Sequence, residues 1–218
     1  SYTYLKQHMT SLFKSSFSIA PFRNSHHDIV WFKRKSVFVN VMHDVPFINP
    51  DGTYNMVCEI PRYTRKKMEM NWKSPLTYIH QDVLDNGNKR SYQWGDMLFN
   101  YGALPQTWEN PTLKCSYTHK YGDDDPIDVI DIGDTQAQCG QIYNVRVLGV
   151  LGMIDQNEMD WKVIALNVCD SHAEHILDID DVDTYKPGTL HAIKEWMRVY
   201  KCAEGKVENQ FAFNEQYQ

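Results

Sequence analysis

Six aspartates fall between Asp123 and Asp134 with no Lys or Arg among them, beginning with the run Gly122-Asp123-Asp124-Asp125-Pro126-Ile127-Asp128. A solvated charge run usually mixes signs or sits in polar surroundings. Here the acids are threaded through Ile127, Val129, Ile130 and Ile132, so part of the segment is expected to be buried. Buried carboxylates resist ionisation unless a cation or hydrogen-bond donors compensate them. At about 4 Å and an effective dielectric of about 20, two such charges repel by roughly 4 kcal/mol. Oxygen-only ligands select a hard cation: Mg²⁺ foremost, Mn²⁺ as a substitute, Ca²⁺ as a poor one. Asp123 and Asp125, two apart on an extended chain, should share a face, and Pro126 should turn the backbone so that Asp128 approaches the same point.

Other acidic motifs fit the spacing less well. An EF-hand loop starting at Asp123 would need Gly at its sixth position and an oxygen ligand at its fifth, where the chain has Asp128 and Ile127. An aspartyl-nucleophile phosphatase motif would close a hydrophobic strand, yet Thr118-His119-Lys120-Tyr121-Gly122 precedes this run. His172-Ala173-Glu174-His175 is not HExxH and has no Cys cluster beside it, which argues against zinc.

A second group of acids is interleaved with bases. Asp155 and Asp160-Trp161-Lys162 bracket a turn between two expected strands, and Asp160 and Lys162 should share a strand face. Glu59 ends a strand in Glu59-Ile60-Pro61-Arg62, Lys67 and Glu69 are again two apart, and Tyr200-Lys201 ends an expected helix. Each pair alone reads as an ordinary surface ion pair. Together they describe a site for a highly charged phosphate compound held with several cations.

The elements that must position these groups are mostly strands. Val37–Val45, Tyr54–Ile60, Ile142–Ile154 and Trp161–Val168 are rich in β-branched and aromatic residues. Asn49-Pro50-Asp51-Gly52 predicts a hairpin between the first two. Gly149 and Gly152 predict a bend or bulge in the third. One helix is expected after Pro187, with Leu190, Ile193, Met197 and Tyr200 on one face and Asp180, Asp181 and Asp183 before its N-terminus. The reading is a single α+β domain, mainly β.

Bulk properties narrow the class. The chain has 218 residues, 42% of them hydrophobic and 23% charged, which suits one globular domain with a sizeable core. A net charge of −6 argues against nucleic acid as a partner, although bound cations can invert the local field around a phosphate ligand. No run approaches the ~20 apolar residues that span a bilayer, so no membrane is expected. Five scattered cysteines without a CxxC pair read as free thiols in a reducing compartment, and the expected location is the cytoplasm. The first 27 residues carry Lys6, Lys14 and Arg23 but no acid, and are rich in serine. That composition resembles an organelle-targeting remnant, an irregular extension being the plainer reading.

With these residues in view, the sequence resembles the soluble family I inorganic pyrophosphatases, of the fungal and animal type. The run Asp123-Asp124-Asp125-Pro126-Ile127-Asp128-Val129 fits that family's signature. Glu59-Ile60-Pro61-Arg62, the stretch from Asn100 to Glu109, Asp160-Trp161-Lys162-Val163-Ile164-Ala165 and Glu208-Asn209-Gln210-Phe211-Ala212-Phe213 match as well. The likeness runs from about Val37 to Phe213, which divides the chain into an extension, 1–36, and a pyrophosphatase domain, 37–218.

The resemblance implies a five-stranded OB-like closed barrel with flanking helices, an N-terminal strand extension and a site at one mouth of the barrel. It implies hydrolysis of pyrophosphate to two orthophosphates by a hydroxide bridging two metal ions, with Asp125 as general base. Asp123, Asp128 and Asp160 look like ligands of the first metal, Asp128 bridging to the second. Asp155 would help Asp160 hold further metals, and Glu59 and Glu69 would line the same cavity. Lys67, Arg90, Tyr101, Lys162, Tyr200 and Lys201 look like the phosphate-binding set. Arg62-Tyr63 resembles an arginine–aromatic step of the fungal dimer face, so a homodimer is expected. Two departures stand out: the family carries tyrosine where this chain has Met97, and it continues into a further helix past the match to Phe213. Met97 is the local reason to weigh a catalytically weakened metal-binding or interaction module on the same barrel. A nucleotide-cleaving phosphohydrolase is a further rival, lacking support from any Gly-rich phosphate loop.

Overall fold

The computed structural model describes residues 19–24 and 29–218, the side chain of Asn24 excepted. The Lys6 and Lys14 region therefore lies outside the described residues. Strands β1 (Ile19–Asn24), β2 (Ile29–Arg34) and β3 (Val37–Phe38) open the chain, with β2 pairing antiparallel to both of the others. The strand expected over Val37–Val45 stops after Phe38. Asn40 accepts a hydrogen bond from the Met42 amide at 3.0 Å and caps a helical turn over Val41–Asp44, a local bond that outweighs the β preference of Val39 and Val41.

At Asn49–Gly52 the expected turn forms, with the Gly52 amide donating to the Asn49 carbonyl at 2.9 Å. Among the described residues the β-pairing across it is the single bridge between Ile48 and Tyr54, to which Asn49 and Asn55 add side-chain hydrogen bonds, so the hairpin is not extended.

Strand β4 (Tyr54–Ile60) is buried along nearly its whole length, so both of its faces are covered. Beyond it, β5 (Met68–Asn71) and β6 (Tyr78–Gln81) form a hairpin, and β6 pairs with β2. Strands β7 (Asn100–Ala103) and β8 (Asp128–Asp131) then lead to β9 (Ile142–Asp155) and β10 (Glu158–Asn167), a long antiparallel pair. β4 pairs with β7 and β9, β7 with β8, and β10 with both β8 and β9, so these five strands pair in a ring. A short β11 (Gln210–Phe211) lies on the other edge of β9. Ile164 faces Gly149 whereas Ala165 faces Val147, which leaves Leu148 as an extra residue: the irregularity expected at the Gly149 region.

The long helix spans Thr189–Val199 behind an N-cap Gly188 at φ 78°, one residue past Pro187. It buries Ile193, Trp196 and Met197, and Leu190 packs partly against the same core. Asp180 and Asp181 belong instead to a separate turn capped by Asp178, and Asp183 to the short helix Val182–Tyr185 that follows. The main core joins Phe32 of β2, Ile79 of β6, Ile130 of β8, Met153 of β9 and Trp196 of the helix, so the two sheets and the helix share one apolar interior. All five cysteines are free thiols.

Candidate active site

Strand register does most of the assembly. On β10, period-two alternation puts Asp160, Lys162 and Ile164 on the buried face. Lys162 stands opposite Asp128 in the parallel β8–β10 ladder. Its ammonium contacts the carboxylates of Asp128 and Asp160, the latter at 2.5 Å, and donates to the Tyr101 hydroxyl of β7 at 2.9 Å. Glu59 of β4 accepts the Met70 amide at 2.7 Å and so fastens β5 to the ring. Just before β5, Lys67 lies 2.9 Å from Glu69 and 3.0 Å from Asp82. Arg90 reaches Asp82 at 3.2 Å and Glu204 at 2.7 Å, and Lys201 pairs with Asp155.

The result is a single cavity. Glu59, Lys67, Glu69, Arg90, Tyr101, Asp123, Asp125, Asp128, Asp155, Asp160, Lys162, Tyr200 and Lys201 all line it. Every residue singled out in the sequence for metal, phosphate or proton chemistry is thus brought to one wall.

The acidic run differs from expectation in detail. Asp123 and Asp125 do not share a face of extended chain, because Asp124 between them adopts φ 70°. This left-handed residue points its carboxylate outward to Lys73 at 2.6 Å and the Trp108 indole at 2.9 Å. Asp123 meanwhile accepts the Asp125 amide at 3.1 Å, closing a small turn that keeps both carboxylates on the cavity. Asp125 Oδ1 accepts the Trp72 indole N–H at 3.1 Å. A side chain on Gly122 would put its Cβ 2.5 Å from the Glu109 carbonyl group, so only glycine lets this loop lie against residue 109.

Charge on the wall is unbalanced: eight acids face five bases. Burial lifts Asp123 to about 6 and Glu109 to about 10, with neighbouring carboxylates adding to both shifts. Burial also raises Glu59, with Asp128 and Glu69 contributing, and raises Asp125 against the pull of the Trp72 hydrogen bond. Asp160 moves up for the same reason, since the one Lys162 ammonium cannot neutralise Asp128, Asp160 and Asp123 together. Burial opposes the charge on Lys162, but Asp128 and Asp160 outweigh it and hold the proton firmly.

These residues fit divalent cations. One oxygen each from Glu109, Asp123 and Asp160 lie within 4.8 Å of one another. Asp128 joins them through the shared Lys162 ammonium. Glu109 Oε2 and Asp155 Oδ1 are buried without a hydrogen-bond partner, a costly state that a cation relieves. All the donors are oxygens, as a hard ion requires.

Several contributors were not singled out in the sequence. Glu109 was visible only as part of the Asn100–Glu109 match; its other oxygen accepts the Trp161 amide at 2.9 Å. Asp82 and Glu204 carry no local signature, because their role is to hold Lys67 and Arg90. Tyr92 lines the cavity, whereas Met97, where the resemblance predicts a lost phenol contact, lies fully buried in the core. Elsewhere, Asp134, Asp170 and His172 approach closely, but Lys186 already sits 2.8 Å from Asp134 and supplies positive charge.

Comparison with known proteins accounts for this arrangement. The family model described as inorganic pyrophosphatase matches residues 56–218. A Drosophila melanogaster inorganic pyrophosphatase is 46% identical over 199 residues, 88% of this chain and 59% of the fly protein, so the chain spans about three fifths of that relative's length. Among solved structures, the inorganic pyrophosphatase of Schistosoma japonicum superposes with a TM-score of 0.86 at 40% identity, covering 92% of this chain and 73% of its own. An N-terminally truncated vacuolar soluble pyrophosphatase of Trypanosoma cruzi, in complex with PPi, gives 0.84 at 40% identity, covering 92% and 82%. An acid-rich cavity built on matching strands, and a match that takes in all of its acids and bases from Glu59 onward, lead to one assignment: the chain belongs to the inorganic pyrophosphatase family.

Proposed function

We propose that the protein hydrolyses inorganic pyrophosphate to two orthophosphates, with Mg²⁺ as its metal. The observation that carries this reading is the meeting of carboxylates starved of positive charge with Lys, Arg and Tyr donors in one cavity. Asp123, Asp128, Asp160 and Glu109 would hold the first metal ions, and Asp155, Glu59 and Glu69 those nearer the substrate. Bound Mg²⁺ supplies Lewis-acid charge that polarises phosphoryl oxygens and makes water more acidic.

The chain's own groups do the rest. Lys67, Arg90, Lys162 and Lys201, with the hydroxyls of Tyr101 and Tyr200, bind and orient the two phosphoryl groups and offset charge on the departing one. Asp125, held in orientation by Trp72, accepts the proton of the attacking water. A new P–O bond to that water's oxygen forms as the bridging P–O bond breaks, and the leaving phosphate takes up a proton.

The five-strand ring is read as an OB-like closed barrel with the site at one mouth, in a pyrophosphatase domain of residues 37–218. Arg62 stacks on the exposed Tyr63, a step suited to a homodimer face. The cytoplasm is the proposed location; among the described residues no helix is long and apolar enough to cross a membrane.

Phosphate release from pyrophosphate, measured with Mg²⁺ and with excess chelator, tests the reading. Release that needs Mg²⁺ and greatly exceeds release from ATP supports it. Absence of release with Mg²⁺ present returns the weakened-module reading.

A further inference from the structure

Tyr92 belongs to no strand or helix, yet it is among the most enclosed residues of the cavity wall, 4% exposed. Its amide donates to the Arg65 carbonyl at 2.8 Å, which fixes the backbone. Its ring stands edge-on to Trp196 at 5.1 Å and to Tyr200 at 5.6 Å, while those two rings stack on each other at 4.9 Å. These ring contacts fix the orientation of the phenol on the cavity wall. The hydroxyl lies in the field of Lys67, Lys162 and Arg90, with Asp128 also close. It forms no hydrogen bond with any described residue. An unpartnered donor on a cavity wall that it shares with Lys67, Lys162 and Arg90 is placed for an anion.

We propose that Tyr92 is a substrate-binding residue whose hydroxyl donates a hydrogen bond to a phosphoryl oxygen of the bound diphosphate. The inference rests on the pyrophosphatase reading of the same cavity and adds a binding group to it. Burial raises the phenol's pKa above its ordinary value, so it stays a donor throughout the neutral range.

The test is calorimetric titration of the parent and of Tyr92→Phe with methylenediphosphonate, which has no hydrolysable bridge, in the presence of Mg²⁺. Phenylalanine keeps the ring contacts and removes only the hydroxyl. Binding about tenfold weaker with an unchanged melting temperature is expected, equal to about 1.4 kcal/mol. Affinity within twofold of the parent overturns the proposal. Should the variant fold poorly, the ring-carbon NMR signal of Tyr92 in the labelled parent decides. A shift that saturates with the analogue supports contact, and an unmoved signal refutes it. A parent that binds the analogue but releases no phosphate from pyrophosphate refutes the activity and leaves the Tyr92 assignment standing. A parent that hydrolyses pyrophosphate while Tyr92→Phe binds normally refutes the assignment alone.

Discussion

Asp125 is held by two opposed influences, burial that favours its protonated form and the Trp72 indole that stabilises the carboxylate. That poise suits a proton acceptor beside a phosphoryl group. Asp125→Asn keeps the shape and the Trp72 contact but cannot take up a proton. Turnover is expected to fall by roughly 10²-fold or more, with the melting temperature within a few degrees of the parent. Retained turnover removes Asp125 from its role. Lys162 presents the opposite case, because its ammonium is the shared partner of Asp128 and Asp160. Lys162→Met leaves two buried carboxylates facing each other and should cost about 3–5 kcal/mol in urea unfolding of the metal-free protein. Adding Mg²⁺ should restore part of that stability but not the activity, since the variant lacks the proposed phosphate-binding ammonium.

The site depends on strands that approach more closely than side chains usually permit. A Cβ on Gly102 would lie 2.0 Å from the Val57 carbonyl oxygen, inside the β4–β7 ladder. Backbone cannot yield there without breaking the pairing that holds Tyr101 opposite Ile60. Gly102→Ala is therefore expected to lose about 3 kcal/mol or more in denaturant unfolding, the upper end for overpacking, and to lower activity through Tyr101. Normal stability in this variant shows that the two strands can separate locally. The β8–β10 register matters in the same way: a slip of one residue would turn Asp128 or Lys162 away from the cavity.

Across the whole molecule, the excess of acids makes stability depend on metal and on pH together. Asp123 at about 6 and Glu109 at about 10 lie above the ordinary carboxylate values near 4. In the metal-free protein the folded state therefore holds protons that the unfolded chain has released. The unfolding free energy consequently falls as pH rises from about 4 toward 8, since stability declines with pH wherever the native state binds more protons. Urea titrations in chelator from pH 5 to 8 check this decline. Mg²⁺ should flatten it, because the cation replaces the protons. Binding to the native state alone raises stability by about 2.7 kcal/mol at a hundredfold excess over Kd, visible as a higher melting temperature. No thermal shift with Mg²⁺ contradicts the cation-binding assignment.

Local chemistry was legible in the linear sequence. The alternation of Asp with aliphatic residues announced buried acids, and the spacing of Asp160 and Lys162 placed both on one strand face, where they are found. The extent of β4, β9 and the long helix could be read from residue type and period, because those properties are set by neighbours a few positions away. What tertiary structure alone decided was which distant groups complete the site. Glu109 with Asp160, Asp82 with Arg90, and Tyr92 against Trp196 depend on strand register and loop packing, which no local pattern encodes. The strand expected beyond Phe38 and the shared face of Asp123 and Asp125 gave way to an Asn40 cap and a left-handed Asp124. In both places a short side-chain-to-backbone hydrogen bond, invisible to periodicity, outweighed intrinsic preference.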